Sequence, residues 1–145
     1  KMSEKDIKDV LEIRKVLEEL ASGIAAENIT KQEIAELKKL HRDFVEAFER
    51  GDREAVLEAD TKFHDVIFNT TKNDKLIQII SNISIQIYRY RIAYLKLLTN
   101  ISVPNQQHLD LIKAFERRDA KKAREVSGEH IEDQAQEILK SLNEF

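Results

Sequence analysis

Three of the chain's four histidines stand at positions where helical spacing calls for apolar residues. Asp60 and His64 are four apart, so they lie a turn from each other on one helix face. Their stripe continues through Val56 and Ile67 and points inward. His108 is in helical phase with Leu111, Ile112 and Phe115, and His130 with Ala123, Val126 and Ile138. A single inward histidine is more often a hydrogen-bonded core residue than a ligand, and an Asp–His pair at this spacing is common. Three such histidines and an acid, on three helices able to converge, carry more weight. Each buried polar group without a partner costs ~1–3 kcal/mol, and one divalent cation would satisfy all four. Imidazoles with one carboxylate suit zinc first, with nickel, manganese or iron as alternatives, and no soft ligand favours copper(I). His41, beside Arg42 and Asp43, is expected at the surface.

Arg14 is the second polar residue on an apolar stripe, one turn after Val10 and Leu11 and one before Leu17. A guanidinium there stays charged and requires an anionic partner. That partner is either a carboxylate of this chain or the carboxylate of a small acid whose other end sits on the metal. Arg91, one turn beyond Ile87, is a weaker candidate for the same role.

Helices must position these groups. The 145 residues include only three Gly and one Pro, and helical periodicity runs nearly from end to end. A first helix is expected from Glu4 to about Ala26. A second follows Thr30, which with Glu33 forms a capping box, and ends at Gly51. Asp52 caps a third. Asn73 or Asp74 opens a fourth and longest, to about Leu98. Ser102 and Pro104 mark a fifth, and Asp119 opens a sixth that runs to about Leu142. The expected fold is therefore all-α, a single-domain antiparallel bundle of about six helices. From Leu76 to Leu98 the fourth helix is apolar nearly all round. Such a helix is buried on every side, either by its own neighbours or partly by a second subunit, and a homodimer through this helix is the expectation.

Composition removes several classes of function. There is no cysteine, which excludes disulfides, zinc–thiolate sites and cysteine nucleophiles. No apolar run approaches the ~18 residues of a membrane span, and the first residues lack a signal-peptide core. The net charge of −3 argues against this segment itself gripping nucleic acid. A cytoplasmic location is expected.

Five stretches then resemble one family. Asp60-Thr61-Lys62-Phe63-His64 matches its Asp-to-His motif, and Asn73-Asp74-Lys75-Leu76 its Asn, Pro, any residue, Leu. His108-Leu109-Asp110-Leu111-Ile112-Lys113-Ala114 is similar to its second histidine motif. Arg118-Asp119-Ala120-Lys121-Lys122-Ala123 through His130-Ile131 resembles its closing helix. Near the start, Glu12-Ile13-Arg14-Lys15-Val16-Leu17-Glu18 matches its opening. The family is the FCD domain, the C-terminal effector domain of FadR-type regulators in the GntR superfamily, and about six helices resemble its VanR branch.

The resemblance implies a helical bundle that dimerises, binds a small organic acid, and holds a divalent metal through Asp60, His64, His108 and His130. Arg14 matches the arginine that often faces the effector. Gln107 departs from the usual Glu before the histidine, and Asp74 from the usual Pro. The resemblance further implies an amino-terminal winged helix-turn-helix of about 70 residues, absent from this chain, through which alone the bacterial transcription regulator would touch DNA. Residues 1–145 are then its effector-binding and dimerisation domain. Two other functions compete with this one. A metal-dependent enzyme would need a general base near the metal, and no spare carboxylate is evident on the inward faces. A helical dimerisation module with a purely structural metal would need no small acid.

Overall fold

A computed structural model describes residues 3–143, among which there are seven α-helices and no strands. They are α1 (Glu4–Asn28), α2 (Lys31–Glu49), α3 (Arg53–Thr70), α4 (Asp74–Asn82), α5 (Ser84–Leu97), α6 (Ser102–Glu116) and α7 (Ala120–Leu142). The expected caps are present. Thr30 and Glu33 form the reciprocal box, and the side chains of Asp52, Asn73 and Asp119 each accept from a backbone N–H in the first turn that follows. Gly51 ends the α2–α3 turn at φ 73°, where a side chain would be strained.

The helix expected from Asn73 to Leu98 is broken in two, which makes the count seven rather than six. The break falls at Ile83 (φ −112°, ψ 12°), flanked by Asn82 and Ser84, residue types of low helix propensity. The unbroken apolar pattern on either side hid it. Helix number therefore gives no ground for placing the chain in the VanR branch. The two halves differ in burial: α5 packs Ile87, Tyr90, Arg91, Tyr94 and Leu95 inward. α4 buries only Leu76, while Ile79, Ile85 and Tyr88 are exposed.

α1 packs along α7, with Arg14 meeting Gln134 and Ser22 meeting Ser127, so the two run antiparallel. α2 pairs with α3, and α6 lies against α7 and α2. The interior is layered along the bundle. One apolar cluster gathers Ala21, Ala25, Leu37, Phe63, Ile67, Leu111 and Phe115. A second gathers Ile7, Leu11, Phe44, Val56, Tyr94, Ile131 and Ile138. Between them, each long helix changes from one cluster to the other through polar residues: Arg14 and Glu18 on α1, Asp60 and His64 on α3, His130 and Gln134 on α7. Among the described residues no helix is long and apolar enough to cross a membrane.

Candidate metal centre

The four expected ligands converge in that polar layer. Asp60, His64, His108 and His130 are all buried, and each offers one ligand atom within 4.8 Å of the others. α3 contributes the first two from adjacent turns, α6 and α7 one each. Asp60 Oδ1 lies 3.3 Å from His108 Nε2 and 3.7 Å from His64 Nε2, and Oδ2 lies 3.2 Å from Arg91 Nε. Burial alone would raise the Asp60 pKa, but His64, His108 and Arg91 more than offset it and hold the group well below the usual carboxylate range. The opposite holds for two of the imidazoles. Burial pushes His108 down, and burial together with His64 and His108 pushes His130 well down, so both are neutral at pH 7.

The outer nitrogen of each histidine is engaged. His64 Nδ1 lies 3.0 Å from Glu18 Oε1, His130 Nδ1 2.6 Å from Gln107 Oε1, and His108 Nδ1 3.1 Å from His41 Nδ1. A carboxylate or amide oxygen can only accept, so His64 and His130 each carry a proton on Nδ1, and in the neutral ring Nε2 is the lone pair turned inward. Gln107, the departure from the family pattern, thus orients His130 without adding charge, and its own amide donates to Asp133 at 2.7 Å.

A donor set fits a metal only if it presents lone pairs with nothing else to do. Among the described residues, the buried side-chain atoms lacking a directional hydrogen-bond partner are Asp60 Oδ2, His64 Nε2, His108 Nε2, Arg14 Nη2 and Arg91 Nε. The first three belong to the four expected ligands, and the chemistry of carboxylate and imidazole suits a first-row divalent ion. The residues therefore fit the group. His130 Nε2 is met by the Gln134 amide at 3.2 Å.

The two arginines differ in place. Arg14 has no exposed surface. It donates to Glu18 at 3.0 Å and to Gln134 at 2.8 Å, so a carboxylate of this chain is indeed its partner. Its Nη2 is still without a partner. Arg91 bonds Thr61 at 3.1 Å and lines a cavity of about 520 Å³ with Glu18, Thr61, His64, Ile80 and Tyr88. That cavity reaches the polar layer. A second, of about 550 Å³, is walled by Phe48, Val56, Leu57 and Leu95 and holds none of the unpaired groups.

Three residues of the layer escaped the sequence reading. Glu18 lies four after Arg14 and Gln134 four after His130, spacings that put each on its neighbour's face. Glu18 is also an inward carboxylate that the sequence reading did not find, but His64 and Arg14 both occupy it and hold its pKa far down against the effect of burial. His41 is buried, not on the surface. It is four after Leu37 and three before Phe44, and that phase outweighs its charged neighbours.

Sequence comparison places this bundle in a regulatory, ligand-sensing class of domain. Residues 9–133 match the FCD domain, and the chain belongs to that family. It is 28% identical over 82 residues to the HTH-type transcriptional regulator McbR of Escherichia coli (strain K12), a match covering 57% of this chain and 37% of that protein. The solved structure of E. coli McbR/YncC shares the fold with a TM-score of 0.84 at 22% identity, over 97% of this chain and 71% of that one. Streptococcus agalactiae GntR shares it at 0.72 and 23% identity, over 90% and 58%. The chain thus spans little more than a third of the curated relative it matches.

Proposed function

We propose that this domain senses a small organic acid at a divalent metal held by Asp60, His64, His108 and His130, zinc first and nickel, manganese or iron as alternatives. The observation that carries this reading is the chemistry of the unpaired atoms. His64 Nε2 and His108 Nε2 are acceptors suited to a cation, Arg14 Nη2 is a donor suited to an anion, and Asp60 Oδ2 and Arg91 Nε meet each other only as an ion pair at 3.2 Å. A purely structural metal would satisfy the acceptors and leave Arg14 Nη2 without a partner, at ~1–3 kcal/mol. An acid entering by the cavity that Arg91 lines would meet that guanidinium beside His64. The metal would supply Lewis-acid attraction for the acid's oxygens. Arg91 orients the carboxylate, Arg14 stands behind Glu18 as a second cation, and the apolar wall at Ile80 excludes water from one side.

The signal leaves through the exposed apolar residues. Ile13, Val16 and Leu20 form one stripe on α1, and Ile79, Ile85 and Tyr88 another on α4 and α5. These surfaces support a homodimer. Since Ile80 and Tyr88 also wall the cavity, a ligand there favours one arrangement of that segment over another. In the cell such a change would alter DNA binding by an amino-terminal winged helix-turn-helix of the same bacterial regulator.

Elemental analysis tests the first half. Near one equivalent of transition metal is expected in the wild type, and loss in His108→Ala. A thermal-shift screen of small mono- and dicarboxylic acids tests the second half. A rise in Tm with metal present, abolished in Arg91→Ala, is expected. No metal after reloading with zinc, nickel or manganese would sink the proposal.

A further inference from the structure

We propose that His41 is a positioning residue for the metal centre, its Nδ1 accepting a hydrogen bond from His108 Nδ1–H and so turning the His108 Nε2 lone pair inward. This rests on the metal reading above and concerns a residue outside the ligand set.

A neutral imidazole carries one N–H, so a ring that gives Nε2 to a metal must keep its proton on Nδ1, and the partner of Nδ1 fixes that tautomer. For His64 and His130 the partner is an oxygen, of Glu18 and of Gln107. For His108 it is another imidazole, 3.1 Å away, which by type could either donate or accept. The ligand role of His108 decides between them. With Nε2 given to the metal, His108 keeps its proton on Nδ1 and donates, so His41 Nδ1 accepts and His41 carries its own N–H on Nε2. Both protons then point away from the ligand atoms.

Packing holds the geometry. His41 is buried on α2, stacks on Phe44 with ring centres 6.4 Å apart, and presents its edge to His108 at an interplanar angle of 83°. α2 gives the metal no ligand, so its part in the centre runs through this one ring. Partners of this kind typically change metal affinity by ~10–100-fold when removed.

The test compares wild type, His41→Phe and His41→Gln as the 145-residue chain. His41→Phe keeps a ring of similar size and removes the acceptor, and His41→Gln returns an acceptor oxygen. Zinc affinity is measured by chelator competition and ligand geometry by the visible absorption of the cobalt(II) form. His41→Phe is expected to lose ~10–100-fold in zinc affinity with an altered cobalt spectrum. His41→Gln is expected to recover most of both. Zinc binding as tight in His41→Phe as in wild type, with the same cobalt spectrum, overturns the role of His41 alone. So does equal loss in both variants, which would assign the effect to packing. A wild type that binds neither zinc nor cobalt overturns the metal reading together with this one.

Discussion

The two apolar clusters and the polar layer between them are built from the same helices and obey opposite rules. In the clusters, residues such as Phe115, Ile67 and Ile138 contribute by the area they bury, and an apolar side chain of similar volume and shape would serve. In the layer, each group is tied to particular partners: Asp60 to Arg91, Glu18 to Arg14 and His64, His130 to Gln107, His108 to His41. Its fixed charges balance, two carboxylates against two guanidiniums, but balance is not stability. Desolvating a buried ion pair often cancels its attraction, and apolar residues of the same volume would hold the bundle as well or better. The clusters make the domain fold, and the layer is kept for what it can bind.

The largest effect that separates them is expected at Asp60. Asp60→Ala removes one ligand and strands Arg91 and two imidazoles in the core. Breaking one side of a buried pair costs about 3–5 kcal/mol, so urea unfolding of the metal-free variant should show a loss of that size. Elemental analysis should show no metal. A variant as stable as wild type, or one that still binds metal, would show that the layer is not the unit described. Phe115→Ala is the matched test in a cluster. It also loses about 3–5 kcal/mol, through a cavity, yet keeps one equivalent of metal because Phe115 touches no ligand ring among the aromatic pairs of the layer. Equal damage with opposite metal content is the sharpest form of the comparison.

Acid should act on the layer and spare the clusters. Burial lowers the pKa of His130 and His108, and that of His41 from 6.5 to about 4. Below pH 6.5 the unfolded chain therefore takes up protons that the folded chain refuses, so stability falls as pH drops from 6.5 towards 4. Above 6.5 the contribution is complete and constant. Asp60 and Glu18 are depressed instead, and what they contribute is kept through this window and lost only below it. The urea midpoint of the metal-free domain should fall between pH 7.5 and 5. Metal loading should steepen the fall, because protons compete for the ligands. A midpoint that is flat across that range would mean these imidazoles are already solvated in the folded state.

What could be read from the sequence was whatever is local. Caps at Thr30, Asp52, Asn73 and Asp119 follow from residue type and offset, and the four ligands follow from polar residues in phase with an apolar stripe. The break at Ile83 was hidden because no Gly or Pro marks it and the apolar pattern runs on through it. His41 was hidden for another reason. Its role depends on α6 lying against α2, a contact 67 residues away in sequence, while its immediate neighbours are charged and solvated. Arg14 was legible as an anomaly but not in its partner, since Glu18 and a ligand's carboxylate satisfy a guanidinium equally well on paper.

The smallest expected effect lies at the far end of α2. Thr30 Oγ1 accepts from Glu33 N–H at 3.1 Å, and Glu33 Oε1 accepts from Thr30 N–H at 2.9 Å. Glu33 also accepts from Thr70 at 3.0 Å, which ties this end of α2 to the end of α3. Thr30→Ala removes the cap and should lower stability by about 1 kcal/mol. Thr30 is eleven residues before His41, about 16 Å along the helix, too far for the cap to touch the His41–His108 bond directly. Zinc affinity should therefore match that of wild type. If it falls with the cap, α2 transmits end fraying into the layer as a rigid rod. The independence of layer and clusters would then hold for packing but not for metal binding.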